Sequence, residues 1–532
     1  MWPWRRGCLC AMMLCILASL VGLGRSNWYP TPPLPLGPIP SASQLAFQER
    51  EMAMFFHFGM NTFTDSEWGT GADDPILFNP TELNTDQWIS VAKAAGFRLV
   101  ILTVKHHDGF CLWQTKYTNY SVASSPWKDG SGDVLRDFVT SANKAGLKVG
   151  IYLSPWDRHD ESYGDSLGYN EHYLAQIREI LTKHGTISEV WLDGAKGEDA
   201  VDMNYLFEDW FDVIKQLQPS ANIFSDSGPD VRWVGNEYGS AGSTCWGMMN
   251  RSAVAIGHSG DAVDYLNMGD PYGTDWVPAE CDVSIRPGWF WHASEDPWPL
   301  ESLIELYFTS VGRNSVLLLN VPPNSSGLIS EEDTKVLLQF RTAMDTIFSV
   351  NLARGASVTA SSTRGAKTVG SSNSPFAPSQ VLDEHLDTFW TPEEGVIESY
   401  LELELTAVVS FNVLKVQEEI SLGQRVSGYS FYIWADESWQ LVTKGTTIGF
   451  KRLSRVPLVE AQRVRLQIDS ARGPPIISSI GLYYDEVSVA HPKILSAQNV
   501  RRYYFKERDY LHEEEQQMQT LKTVIDGFSE AI

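Results

Sequence analysis

The chain has 532 residues, with 66 acidic against 41 basic side chains and a formal charge of −25 at neutral pH. A surface that acidic repels phosphate backbones and anionic lipid, which argues against nucleic-acid partners and leaves neutral ligands such as sugars open. Only Cys111, Cys245 and Cys281 lie beyond the first 26 residues, so at most one disulfide can form, no zinc-ligand spacing is present, and ordinary apolar cores must hold a chain long enough for two or more domains.

Residues 1–26 begin with Arg5 and Arg6, continue as an apolar run over 7–23 and end in the small residues Gly24 and Ser26, the three regions of a secretory signal. The run is short for a membrane-spanning helix, which needs about 20 apolar residues. No later stretch is apolar enough to span. The expectation is a secreted chain, delivered to the extracellular space or apoplast or to the vacuole, with no membrane attachment once the signal is removed. Sequons at Asn119-Tyr120-Ser121, Asn250-Arg251-Ser252 and Asn324-Ser325-Ser326 fit that route. The Pro-rich residues 30–40 read as an extended lead-in.

From about residue 50 to 345, short apolar runs bounded by turn signals alternate with stretches of helical spacing. Residues 52–58, 98–105, 148–154, 189–193, 222–225 and 315–321 read as buried strands; 88–95, 134–145, 173–183, 206–217 and 303–311 read as helices. Alternation of this kind implies a parallel sheet, and the length suits a (β/α)8-like TIM barrel over residues 27–345. A doubly wound open sheet is disfavoured because no Gly-rich phosphate loop follows the first strand. Barrel chemistry gathers at the carboxyl ends of strands. There the sequence places His57, the run His106-His107-Asp108, the pair Trp156-Asp157, and Asp193.

Past residue 347 the pattern changes to short alternating strands at 400–405, 411–417, 428–434, 439–443, 463–468 and 476–484, an all-β sandwich over residues 350–487. Residues 488–532, with the run Glu513-Glu514-Glu515, read as a charged, solvated tail without an assigned function.

The chain carries 19 tryptophans, whose flat faces suit sugar rings, although many such residues simply fill cores. Glycoside hydrolysis usually needs two carboxyl groups, one as nucleophile or base and one as acid. Asp193, in Val190-Trp191-Leu192-Asp193-Gly194, is the sharper candidate, because a carboxylate placed straight after an apolar strand is costly to bury without partners or a task. Its bland alternative is a cap on the next turn. The pair His106-His107 invites a metal reading, which the alternation of faces along a strand disfavours.

The run Phe56-His57-Phe58-Gly59, the run Lys105-His106-His107-Asp108-Gly109-Phe110 with Leu112-Trp113 after it, and Val190 to Gly194 together resemble, in order and spacing, the α-L-fucosidases of glycoside hydrolase family 29. The resemblance implies a retaining exo-hydrolase without metal or organic cofactor. In it, the aspartate at Asp193 attacks the anomeric carbon and the histidines at His57, His106 and His107 bind fucose hydroxyls. A neutral imidazole suits that task, donating at one nitrogen and accepting at the other.

The family places its acid/base at differing points. Glu237, in Trp233-Val234-Gly235-Asn236-Glu237-Tyr238-Gly239, matches the position used by the subgroup that cleaves α1,3- and α1,4-linked fucose from branched N-acetylglucosamine. Glu280, in Val277-Pro278-Ala279-Glu280-Cys281-Asp282, is the rival for that role or a substrate ligand, and Glu67, beside Trp68, is a third candidate nearer the fucose. Trp68, Tyr152 and Trp191 are expected to shape the pocket, with Arg286 or Trp289 on its leaving-group side.

In the second half, Asn351-Leu352-Ala353-Arg354-Gly355, Val358-Thr359-Ala360-Ser361-Ser362 and Asp387-Thr388-Phe389-Trp390-Thr391 resemble discoidin-like, galactose-binding-like modules. These bind sugars, pack against a neighbouring barrel or lend a loop to its active site; the structural role is favoured here, since no sugar-binding triad stands out. The expected substrate is terminal α1,3/α1,4-linked fucose on an oligosaccharide or glycoprotein glycan. The alternatives are an α1,2-fucosidase acting on cell-wall oligosaccharides and a carbohydrate-binding protein whose barrel has lost catalysis.

Overall fold

The computed structural model describes residues 30–197, 200–257 and 259–486. The expected leader and the charged tail lie outside the described residues. Eight parallel strands close a barrel: β1 Met52–Phe56, β2 Leu99–Lys105, β3 Lys148–Leu153, β4 Glu189–Trp191, β5 Asn222–Ser225, β6 Val231–Trp233 and, past a short antiparallel pair, β7 Met248–Met249 and β8 Asp275–Trp276, the last two staves β9 Ala279–Ser284 and β10 Val316–Asn320. β10 pairs back onto β1 and completes the ring. Two staves escape the sequence reading. β6 has only three residues, and β9 alternates acidic or hydroxyl side chains with apolar ones, yet is buried along its whole length.

Helices pack around the ring for ordinary reasons. The helix Val134–Ala145 starts where the Asp133 side chain accepts the Arg136 N–H and ends at Gly146 with a left-handed φ of 76°; between them Leu135, Phe138, Val139 and Ala142 form its buried stripe.

Strand alternation then sorts the barrel into two layers. Met54, Phe56, Leu102, Ile151, Val190, Val283 and Leu319 face the helices. Ala53, Phe55, Leu99, Ile101, Tyr152, Trp191, Phe224, Val231, Val316 and Leu318 fill the interior, joined by Phe47 from the capped helix Ala42–Arg50. Two positions beyond Phe55, Tyr152, Trp191, Phe224 and Leu318 stand His57, Ser154, Asp193, Asp226 and Asn320. The parity that packs the core thus delivers a polar ring to the carboxyl ends of the strands.

The second domain is antiparallel: β11 Ser357–Ala360, β12 Ser399–Glu418, β13 Val426–Ala435, β14 Ser438–Gly445, β15 Arg452–Ala471 and β16 Ile477–Tyr483, in the order β11-β12-β15-β13-β14 with β16 also pairing β12. The segments expected at 400–405 and 411–417 are one 20-residue strand, and register shifts against β15 at Glu404/Val409 and Phe411/Val413 let it bend between the two layers of the sandwich. This domain packs on the barrel. Val413, Leu453 and Tyr483 join the outer barrel core. Arg455 pairs with Glu305 at 2.5 Å and lies 3.7 Å over the Phe308 ring. The lead-in is extended, as expected, and is tied to the sandwich where the Leu36 N–H donates to the Leu422 carbonyl and Arg425 to the Leu34 carbonyl. Cys111, Cys245 and Cys281 are buried and free. No described helix is long and apolar enough to cross a membrane.

Candidate active site

A cavity of about 640 Å3 opens at the carboxyl ends of the barrel strands, and every residue lining it comes from the barrel. It gathers His57, Trp68, His106, His107, Tyr152, Trp191, Asp193 and Glu237 from the residues singled out in the sequence, with Glu67 and Trp289. It also contains Phe224, Asp226, Trp233, Asp282 and Ser284, none of which carries a motif of its own.

Asp193 sits two residues past the inward-facing Trp191. One carboxylate oxygen, Oδ2, accepts the Tyr152 hydroxyl at 2.9 Å; the other, Oδ1, accepts the Ala195 N–H at 2.8 Å. His107 Nε2 stands 3.7 Å from Oδ2. Burial pushes the carboxyl up to about 7; the two donors pull it down, while the charges of Asp226 and Glu237 push it further up. A Cβ at Gly194 would stand 2.4 Å from the Asp226 carboxylate, so any larger residue there would have to displace that side chain. The side chain remains 21% exposed to the cavity. A carboxylate held by two donors yet open on one side is equipped for nucleophilic attack.

The histidines are fixed by networks that set their tautomers. Asn320 Nδ2 donates to the Trp289 carbonyl at 2.7 Å and to Ser284 Oγ at 2.9 Å, so its Oδ1 accepts, and the partner at 2.9 Å is His57 Nδ1–H. Ser154 spends its proton on the Trp156 carbonyl at 2.6 Å and therefore accepts from His107 Nδ1 at 2.7 Å. In both rings Nε2 is left as an acceptor. His106 is the opposite case: the Asn61 amide, which donates to the Glu67 carbonyl, points a second N–H at His106 Nδ1 from 3.4 Å and leaves Nε2–H as a donor. Burial pushes His57 and His107 down to about 3, and His106 well below the ordinary imidazole value, so all three are neutral. Two acceptors and one donor around one cavity suit a ligand rich in hydroxyl groups.

His106 and His107 do not point to opposite faces, as alternation along a strand would have it. β2 ends at Lys105, whose ammonium is pinned by Asp157 at 2.8 Å and Gln176 at 3.0 Å. Beyond it the chain turns, and both rings face the cavity with centroids 4.2 Å apart. Asp157 serves that anchor, while Trp156 packs on His107 and on Trp68.

β9 supplies the anchors that sequence reasoning missed. Its inward residues Glu280, Asp282 and Ser284 hold, in turn, the Trp191 indole N–H at 3.0 Å, the Trp233 indole N–H at 3.0 Å and Asn320. Glu280 is therefore not where it was expected. It lies a layer deeper than Asp282, fully buried and off the cavity wall, beneath Trp191. It is out of reach of a ligand as acid/base or as substrate contact. Arg286 is likewise withdrawn, clamped by both oxygens of Asp333 at 3.0 Å. Glu67 accepts the backbone N–H groups of Trp289 and Phe290 and bonds His292, and so joins the loop carrying Trp68 to the one carrying Trp289.

A parallel barrel with carboxyls, neutral imidazoles and indoles around one cavity at its strand ends has the architecture of a barrel glycosidase. The family model for α-L-fucosidase matches residues 41–346, and that for the F5/8 type C domain matches residues 357–481. Alpha-L-fucosidase 1 of Arabidopsis thaliana is 55% identical over 459 residues, 86% of this chain and 89% of that protein. The crystal structure of SpGH29 has a TM-score of 0.81 at 41% identity, covering 85% of this chain and all of that one. A family 29 fucosidase of Ruminococcus gnavus, solved in complex with fucose, gives 0.79 at 33% identity over 87% of this chain and 98% of its own. The chain belongs to the α-L-fucosidases of glycoside hydrolase family 29, and it carries a C-terminal F5/8 type C domain.

Proposed function

We propose that the enzyme is a secreted exo-hydrolase that removes terminal α1,3- or α1,4-linked L-fucose from branched oligosaccharides and glycoprotein glycans with retention of configuration. Asp193 is the nucleophile and Glu237 the acid/base. In the first step an Asp193 oxygen bonds the anomeric carbon as Glu237 gives its proton to the glycosidic oxygen, and the aglycone departs as an alcohol. In the second, Glu237 takes a proton from water, whose oxygen displaces the Asp193 ester and frees α-L-fucose. Tyr152 and the Ala195 N–H orient the nucleophile, and His57, His106 and His107 engage the sugar hydroxyls. The observation that carries this reading is the doubly anchored Asp193 carboxylate facing the same cavity as Glu237 and three neutral imidazoles. Similarity to the fucose-bound R. gnavus enzyme supports fucose as the glycon. The sequence around Glu237 supports the linkage, and the leader segment supports export.

Asp193→Ala and Glu237→Ala on an aryl α-L-fucoside test the roles. Each should lose about a thousandfold or more in turnover. Azide should restore product formation in both, giving the inverted fucosyl azide from the first and the retained one from the second. Wild-type turnover in either variant refutes that assignment. Release of fucose from an α1,4-fucosylated branched N-acetylglucosamine, but not from an α1,2-fucosylated galactoside, is the expected linkage result. Release from the α1,2 substrate alone replaces that linkage, and release from neither by folded protein moves the weight to a binding role.

A further inference from the structure

We propose that Glu280 is a positioning residue for hydrolysis, holding the Trp191 indole that forms one wall of the fucose pocket and, through it, the Tyr152 phenol that orients Asp193. The inference rests on the reading of that cavity as the fucose site. Trp191 is a packed intermediary. Its ring stacks on Phe224 with centroids 3.7 Å apart and planes at 7°, lies 5.6 Å from Tyr152 at 29°, and meets the edge of Phe55 at 5.4 Å. Stacking leaves the indole free to slide in its own plane. Among the described residues, the one hydrogen bond of its ring is the N–H donated to Glu280 Oε2 at 3.0 Å. Tyr152, pressed against the other side, carries the hydroxyl that reaches Asp193 Oδ2 at 2.9 Å. A shift of the indole therefore moves both the sugar-facing wall and the donor on the nucleophile.

The choice of an acid at this depth needs a reason beyond packing. Glu280 and its neighbour Glu189 are both fully buried, and among the described residues none outside the pair donates a hydrogen bond to Glu280 Oε1 or to either Glu189 oxygen, although the Arg50 charge acts on Glu189 to favour its ionised form. Two acids in contact in a dry barrel share a proton rather than both ionising, and burial with the neighbouring carboxyl raises Glu280 far above its ordinary value. A pair of apolar side chains would fill the space at lower cost, because a buried ionisable pair seldom stabilises a fold against its apolar replacement. What such a replacement lacks is an acceptor for the Trp191 N–H, and leaving that buried donor without a partner is penalised.

The test compares Glu280→Leu, Glu280→Gln, Trp191→Phe and the double variant Glu280→Leu/Trp191→Phe. The readouts are kcat and KM on an aryl α-L-fucoside, the inhibition constant of free fucose, and the pH profile of kcat/KM. Glu280→Leu should weaken fucose inhibition and lower kcat/KM, each about tenfold, consistent with a lost buried hydrogen bond. It should also move the acidic limb to higher pH, as Tyr152 loosens its hold on Asp193. Glu280→Gln, which keeps an accepting oxygen, should remain within about threefold of wild type. Adding Glu280→Leu to Trp191→Phe should cost nothing further. If Glu280→Leu does not fold, Glu280→Met, closer in shape, takes its place. A folded apolar variant with wild-type fucose inhibition and pH profile, or single effects that multiply in the double variant, overturns the proposal. Fucose inhibition reads the Trp191 wall whether or not Asp193 is the nucleophile, so failure of one assignment is told apart from failure of the other.

Discussion

Replacing Asp193 with Asn should abolish turnover and at the same time stabilise the protein, by an amount that depends on pH. In the folded chain burial is the chief cause that pushes the carboxyl up to about 7, against 3.8 for an ordinary aspartate. The unfolded chain therefore ionises this group first, and as pH rises from about 4 to about 7 the native state loses stability relative to it. Below about pH 4 the group is protonated in both states and contributes nothing. At about 1.4 kcal/mol per unit, a shift of about three units amounts to about 4 kcal/mol at most. Asn is nearly isosteric, still accepts the Tyr152 hydroxyl or the Ala195 N–H, and carries no charge to bury. The gap between variant and wild type should be near zero at pH 4, open through pH 5 and 6, and level off above about pH 7.5 at a few kcal/mol. Denaturant unfolding followed by tryptophan fluorescence at half-unit steps of pH would measure it. A gap independent of pH, or a variant less stable than wild type at pH 8, would show that Asp193 is not held against its own ionisation and would sink the electrostatic account of the site.

As the proposed nucleophile the same carboxyl must be ionised, so kcat/KM on an aryl fucoside should fall as pH drops through about 7, and Asp226→Asn, which removes a neighbouring charge that pushes Asp193 up, should move that limb to lower pH. Asn320→Ala strands the His57 Nδ1–H and the Trp289 carbonyl together; a penalty of about 1–3 kcal/mol should appear as a tenfold or greater fall in kcat/KM, mostly in KM, by steady-state kinetics. Arg455→Ala leaves Glu305 unpaired at the domain boundary and uncovers the Phe308 ring; about 3 kcal/mol of stability should be lost in denaturant unfolding with KM unchanged, because the sandwich lends no residue to the cavity. A changed KM in Arg455→Ala would instead mean that the second domain shapes the site.

What the sequence could determine was what is local. The alternation of short apolar runs with amphipathic stretches announced a parallel barrel, and the change of period past residue 347 announced a sandwich, because each signal is complete within about ten residues. His57 and Asp193 were legible because each stands directly past an apolar strand in the barrel's inward parity. The same parity explains the misses. β9 hides its strand character by alternating Glu280, Asp282 and Ser284 with apolar residues, and those polar groups are tolerable inside only because indoles and an amide from other staves bond to them. Trp191 and Glu280 are 89 residues apart, Glu67 and Trp289 are 222 apart, and His57 and Asn320 are 263 apart. No spacing rule joins such pairs. Barrel closure decides them, by setting which strand lies next to which and at what depth each inward side chain sits. Thus candidate side chains could be read along the chain, but whether a given carboxyl opens on the cavity, as Asp193 does, or stays beneath it holding an indole, as Glu280 does, follows from its height in the closed barrel.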